Sequence, residues 1–453
     1  MGKAHHSSVA ILSTFFERAR FARVADWLVV GIALALPWST SATVILIAIW
    51  LATALVAVQP GAVKRELLSL AGGLPVVLWG LAAIGMLWAN IDWHAPLAGL
   101  GSFHRLLTLP LLIAQFRRSE RGNSVVVAFL ISSAAVLAVS YFLVFAPGLS
   151  WRGKSYLPGV PMLGVPVHDY VYQSSSFLIC GFGILGYLAF NGRPQRPFTI
   201  WGLVSLAAMF FANFAFVLIS RISFAIAPVL AALLGWRLYR WKGLAATSAL
   251  CIVIGVAVFF ASSSLRARLN GAVDEMTQYR LTGAATPIGL HTGFLSESLT
   301  IISSAPIFGH GTGSIPAEFQ RLTIGQSGAA GVSTVNPHNQ TFAVAIQLGV
   351  VGAIVLWAMW LTHFLLFRGT GIAAWFGSVV VAENIVSSTV HSHLFDFDQG
   401  WLYVFGVGVL AGMVLKRSDA GAGVLAPREH SGSSTHANWN TLIGVRAAQN
   451  NTH

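Results

Sequence analysis

The sequence predicts an all-α polytopic membrane protein, and three observations carry that reading. Of the 453 residues, 55% are hydrophobic and only 9% charged, whereas soluble domains carry about a quarter charged residues. Apolar runs recur along the whole chain, most near the ~20 residues that a bilayer core demands. Basic residues gather in every second connection between these runs, as the positive-inside rule requires. The net charge of +12 would by itself suggest nucleic acid, but its alternation assigns it to topology, so no nucleic-acid partner is expected. Cys180 and Cys251 both lie inside apolar runs, which leaves neither a disulfide framework nor a cysteine metal site.

Taken in order, Ile11 to Asp26 is amphipathic and basic, as an interfacial lead-in helix would be. No small-residue cleavage site follows, so the first span is expected to be retained. Apolar runs follow at 27–38, 40–58, 74–90, 99–115, 122–146, 168–190, 198–219, 222–236, 243–261, 340–366, 371–391 and 401–415. Twelve transmembrane helices are expected, the first two forming a hairpin around Pro37-Trp38-Ser39. The domain plan is nine spans with their lead-in over 1–261, a large outward loop over 262–340, three spans over 341–417, and a disordered tail over 418–453. With the N-terminus inside, 19 of the 27 Lys and Arg residues fall on cytoplasmic segments. Both termini are then cytoplasmic, and the 262–340 loop faces outward, into the periplasm of a bacterial inner membrane.

Eight basic residues remain: Arg105, Arg152, Lys154, Arg221, Arg266, Arg268, Arg280 and Arg321. Arg321 and Lys154 read as ordinary solvated loop charges. Arg221 differs, because it sits in a short turn between two apolar spans, where an ionisable group is costly and by default functional unless it snorkels to a headgroup. Arg105, four residues after Gly101 within the fourth span, is placed similarly. In the outward loop Leu295, Leu299 and Ile302 recur at helical spacing, predicting an amphipathic helix with that face on the bundle. Ser304 to Gly313 holds a tight glycine turn that can offer amide N–H groups to an anion. Asp396-Phe-Asp398, with His391 and His393, has the spacing of a metal cluster, although a hydrogen-bonded helix cap is the expected reading. Outward carboxylates are few and no Asp-x-Asp precedes a helix in the loop, so neither metal nor cofactor is expected.

The loop ends in Asn336-Pro-His-Asn-Gln340. Pro-x-Phe-Gly-x-Gly-Thr-Gly at 306–313, His338-Asn339, Leu-Gly-x-x-Gly at 348–352 and Ser220-Arg221 together resemble the O-antigen ligase and polymerase superfamily. The resemblance extends to the layout of twelve spans with one large loop before the tenth. It implies a glycosyltransferase of the multi-span C class that passes a glycan from undecaprenyl diphosphate to a hydroxyl of lipid A-core. Inversion at the anomeric carbon, independence of metal, and a His general base at His338 are implied with it. Arg221 is matched to the family's Arg after Ser. The family usually carries a further Arg fifteen residues before the Pro of Pro-x-Phe-Gly; here His291 stands there, and either His291 or nearby Arg280 fills that role. Arg266, Arg268, Asn339 and Arg105 complete the expected substrate-binding set. An O-antigen polymerase and a protein O-oligosaccharyltransferase share this pattern and differ in the acceptor. A transporter of a charged lipid is the alternative of another class, disfavoured because the halves show no repeat.

Overall fold

The computed structural model describes residues 2–146, 164–192, 194–218 and 220–425, with side chains from Glu17 to Ala420 except at 218, 264 and 268. Arg152 and Lys154 lie outside the described residues. Among those described there is no strand. The helices run α1 Gly2–Ala35, α2 Thr40–Ala57, α3 Pro60–Leu67, α4 Leu70–Gly85, α5 His94–Gly101, α6 Leu109–Phe116, α7 Gly122–Phe145, α8 Tyr170–Phe190, α9 Pro197–Ala212, α10 Arg221–Ala261, α11 Ser263–Thr282, α12 Pro287–Ser304, α13 Ile315–Thr323, α14 Gln340–Leu366, α15 Ile372–Ser387 and α16 Phe397–Leu425. The last of these runs past residue 418, where the sequence places a tail; residues 426–453 of that tail lie outside the described residues.

Large apolar side chains lie on both the inside and the outside, as lipid immersion dictates. Trp50, Phe116, Trp360, Trp375 and Tyr403 are fully buried, whereas Leu55, Ile131, Ile252, Val253 and Ile354 are exposed. Some polar groups inside pair with one another: Trp50 Nε1 donates to Gln115 Oε1 at 2.9 Å, and Gln115 Nε2 donates to Asp26 Oδ1 at 2.8 Å. Without water to satisfy them, such groups must find partners within the protein.

Eight described helices are long and apolar enough to cross a membrane, nine if the bent pair 94–101 and 104–116 is one span. This supports a polytopic helical membrane protein with fewer qualifying helices than the twelve runs expected. The physical reasons are specific. Two runs fall within α10, whose helical course breaks at Tyr239 and Arg240. There the chain folds back: a Cβ on Gly243 would lie 1.9 Å from the carbonyl oxygen of Gly235, an approach that eight residues of straight helix would not permit. The 99–115 run bends by 45°, α15 has only 16 residues, and the apolar run at 27–38 is the end of the longer α1.

The loop segment docks through its glycines. Helix α14 breaks at Gly349, which has φ 63° and ψ −162°, and the break releases backbone groups on both sides. The glycine turn answers them in register. His310 N and Gly311 N donate to the carbonyls of Ile346 and Gln347 at 2.8 and 2.9 Å, while Val350 N and Val351 N donate back to Pro306 and Ile307 at 2.8 and 3.4 Å. Thr312 N donates to Gly85 O at 3.1 Å, Thr312 Oγ1 to Ala82 O at 2.5 Å, and Gly313 N to Gln347 Oε1 at 2.8 Å. The expectation that this turn offers its amides to an anion is therefore corrected: from His310 to Gly313 they are all engaged within the protein, on α4 and α14.

Helix α12 forms as expected but buries a different face. Phe294, Glu297, Ser298 and Ile301 face inward, while Leu295 and Leu299 are 36% and 57% exposed. Gly293 and Ser298 make the inward face thin, so Phe294 and Ile301 reach Phe319, Ala343 and Ile346 in one cluster.

A Cβ at Gly349 would lie 2.1 Å from Ile307 O at a positive φ, whereas nothing lies within 4 Å of one at Gly255. Gly349→Ala should therefore destabilise the protein by at least ~1–3 kcal/mol and lower its melting temperature in detergent. Gly255→Ala should be neutral or slightly stabilising in the same melt.

Candidate active site

The segment Asn336–Gln340 is held between the start of α14 and the connection from α15 to α16. Asn336 Oδ1 accepts from His338 N at 2.9 Å and from Ser392 Oγ at 2.7 Å. Asn339 Oδ1 caps α14 by accepting from Phe342 N at 3.0 Å, and its Nδ2 donates to Thr389 O at 3.0 Å. Gln340 N donates to Ser388 O at 2.9 Å, and Gln340 Oε1 accepts from Leu394 N at 3.0 Å. These bonds hold His338 at φ 54°, a left-handed backbone uncommon outside glycine. Strain of this kind persists only where surrounding bonds over-determine it. Asn339, expected to bind substrate, is thus engaged in capping and fastening the loop.

Around His338 the chain gathers three more imidazoles. Its ring centroid is 4.5 Å from that of His291 on α12 and 5.3 Å from that of His391. His391 in turn stacks on His393 at 5.1 Å. Phe294 stacks on His338 at 5.9 Å, and His338 Nδ1 lies 3.3 Å from His391 Nδ1. Two neutral rings can share one N–H across that gap; two imidazolium ions cannot. Burial accordingly pulls His338 down to about 4, with the neighbouring His291 adding to the effect. It pulls His391 to about 3, assisted by His338 and His291. His393 is driven well below its ordinary value by burial and then His391, and His291 is lowered by burial and then by Arg221. At neutral pH the cluster is uncharged.

The arginines fall into separate roles. Arg221 opens α10 and lies 3.6 Å from Glu275 on α11, its guanidinium 45% exposed. An ion pair so open to solvent contributes little stability, which leaves the cation available at the edge of the histidine cluster. Glu275 Oε2 also accepts from Ile288 N at 3.2 Å, tying α11 to α12. Arg280 is exposed on the last turn of α11. Arg266 donates to the carbonyls of Phe259 and Phe260 at the end of α10, so its guanidinium satisfies helix-terminal acceptors. The side chain of Arg268 lies outside the described residues. Arg105 is buried; it donates to the carbonyls of Asp396 and, at 3.1 Å, Phe395, and lies over Trp401. It fastens the loop that carries His391 and His393.

The possible metal grouping of Asp396, Asp398, His391 and His393 is divided by the fold. Asp398 pairs with His168 at 3.0 Å, and Asp396 O receives Arg105 and Gly400 N at the start of α16. Among the described residues, no three His, Cys, Asp or Glu side chains are grouped so as to hold a metal ion. On the other side of Asn336-Pro337 a cavity of about 340 Å³ is lined by Gly99, Gly313, Ser392 and Asp396 among others. Sequence reasoning missed Glu275 and did not place His391 and His393 beside His338. Their signal was a His-x-His immediately after an apolar run, on the same outward side as the loop.

Residues 206–357 match the family model described as O-antigen ligase. The match over that segment supports assignment to the O-antigen ligase and polymerase family. The match takes in Arg221, Arg280, His291, His338 and the two glycine motifs that exchange backbone bonds. His391 and His393 lie beyond its end, so the histidine cluster is completed by residues from outside the matched segment. No curated protein is significantly similar to the chain in sequence.

The depressed histidines set a pH dependence of stability. In the unfolded chain each His takes up a proton near pH 6.5, while folded His338 resists until about 4. The unfolded state therefore binds more protons below pH 6.5, and stability falls as pH drops through that window. The melting temperature should decline from pH 7 to pH 5, and His391→Asn should shallow that decline.

Proposed function

We propose that the protein is an O-antigen ligase that transfers a glycan from undecaprenyl diphosphate to a hydroxyl of lipid A-core. The observation that carries this reading is His338: a strained, half-buried, neutral imidazole, braced by His391 and set near an available arginine, within the matched family segment. With its proton on Nδ1 and shared with His391, His338 keeps a lone pair on Nε2 for the acceptor hydroxyl. The acceptor oxygen attacks the anomeric carbon as the bond to the diphosphate oxygen breaks. His338 takes the proton and undecaprenyl diphosphate leaves with the electron pair. One displacement inverts the anomeric centre, and no step calls for a metal.

Arg221 suits the diphosphate, since a guanidinium grips phosphate in a fork and stays cationic in a partly dry site. Arg280, on the last turn of α11, adds to the donor's charge neutralisation, and neutral His291 offers it a hydrogen bond; the cavity beside Asn336-Pro337 offers room for the acceptor sugar. On this reading the fold is a twelve-span glycosyltransferase of the C class. The count takes both arms of α10, the bent pair, the end of α1 and the short α15 as spans. Both termini are cytoplasmic and the site faces the periplasm of an inner membrane.

In transfer assays with purified protein, His338→Ala should lose about 10²–10⁴-fold in rate with an unchanged melting temperature. Arg221→Ala should chiefly raise the KM for the lipid-linked donor. Glycan on lipid A-core, formed by wild type in excess chelator, supports the ligase. If the lipid-linked glycan lengthens and lipid A-core stays bare, the protein is a polymerase.

A further inference from the structure

A second polar site lies at the other end of the same helices. Helix α14 begins beside His338 and ends next to Arg368, so its 27 residues separate the two regions by up to about 40 Å. There a cavity of about 350 Å³ opens between the turn of α10 and the connection from α14 to α15, lined by Arg237, Arg240, Arg368, Trp236, Phe190 and Phe364 among others. Three guanidinium groups line it, and no carboxylate does.

The three arginines are not equivalent. Arg237 donates to Gly369 O at 2.7 Å, to Phe367 O, and to Ser378 Oγ at 2.9 Å. It fixes the wall of the cavity and adds its charge from behind. Arg240 stands at φ 53°, where α10 folds back, with its guanidinium 4.4 Å above the ring of Trp236. Arg368 is exposed at the cavity edge. The left-handed backbone at Arg240 is held by the close approach of Gly235 and Gly243, so the guanidinium is set in place by the turn. Trp236 packs edge-on against Trp241 at 4.7 Å, and Tyr239 and Trp241 are about 70% exposed, at 72% and 71%. Aromatic side chains of this kind mark the level of lipid headgroups.

We propose that this cavity binds the phosphate of an anionic membrane lipid. Clustered arginines in a pocket between membrane helices recognise acidic headgroups, and a phosphodiester satisfies two guanidinium groups at once. Phe190, Leu233 and Phe364 line the same cavity, giving the acyl chains an apolar wall that a soluble anion would not use. Binding joins the α10 turn to the α14–α15 connection and does not depend on the catalytic reading of His338.

The test uses the purified full-length chain in neutral detergent, with thermal melts and native mass spectrometry against phosphatidylglycerol, cardiolipin, phosphatidylcholine and inorganic phosphate. The acidic lipids should raise the melting temperature by several degrees and remain bound in the gas phase. Arg368→Gln and Arg240→Gln should each lose most of that shift, while Arg321→Gln, a control at the far end, should retain it. Equal stabilisation by phosphatidylcholine, or a full lipid response in both variants, would overturn the proposal. A shift reproduced by inorganic phosphate with no further gain from lipid would overturn the assignment to a lipid. If Arg240→Gln proves misfolded by its melt without lipid, Arg368→Gln alone decides, because its side chain stands at the exposed edge.

Discussion

The structure depends on one exchange of backbone hydrogen bonds, between the glycine turn at 306–313 and the break in α14 at Gly349. A broken helix at membrane depth leaves carbonyl and amide groups that lipid cannot satisfy. Here the turn supplies amides for the carbonyls of Ile346 and Gln347 and takes the amides of Val350 and Val351 in return. The exchange needs glycine at both places: a Cβ at Gly309 would lie 2.5 Å from the backbone of Gln347, and one at Gly349 2.1 Å from Ile307 O. Because Thr312 also bonds α4, the turn fixes the loop segment to two membrane helices. The N-terminal turns of α14, which carry the His338 loop, are thereby oriented relative to α12.

A second set of bonds positions the other half of the cluster. His391 and His393 sit on an irregular connection, which would be mobile if left alone. Arg105 reaches it from the bend between α5 and α6 and binds successive carbonyls at Phe395 and Asp396. Asn336, Asn339 and Gln340 bind its other side. A buried guanidinium is costly unless its donors are met; three consecutive carbonyls at 395–397 accept from its Nη1 and Nη2, while its Nε has no partner among the described residues. Arg105, expected from the sequence to bind substrate, holds the backbone of the connection that carries the histidines.

Much of this was legible in the sequence. The apolar runs gave the helical membrane class, and Arg221, His291 and His338 were singled out before their proximity was known. What stayed hidden depends on contacts between distant segments. The glycine turn reads equally well as an anion nest or as a docking strip, and only the break at Gly349 decides between them. Of the face expected on the bundle, Ile302 packs inward, whereas Leu295 and Leu299 give way to Phe294 and Ile301. Spacing grouped Asp396 and Asp398 with His391 and His393, whereas at the start of α16 Asp398 pairs with His168 instead. The fold-back of α10 lacks the usual glycine or proline at its apex, since Arg240 itself adopts the left-handed backbone.

The electrostatics of the cluster bear on how the proposed transfer would avoid wasteful reaction. Burial, assisted by the closeness of the imidazoles, keeps the cluster neutral and holds His338 at about 4, where it is a weak base. A weak base does not readily activate a hydroxyl or a stray water. On the proposed function, the donor's diphosphate would bring negative charge next to the same rings, and an adjacent anion favours the protonated imidazole. Part of the proton affinity that the proposed transfer needs would then come from the substrate, with Arg221 on its phosphates. Burial of the histidines and openness of the arginine would be two parts of one arrangement, in which the protein contributes geometry and the donor the charge that makes the base effective.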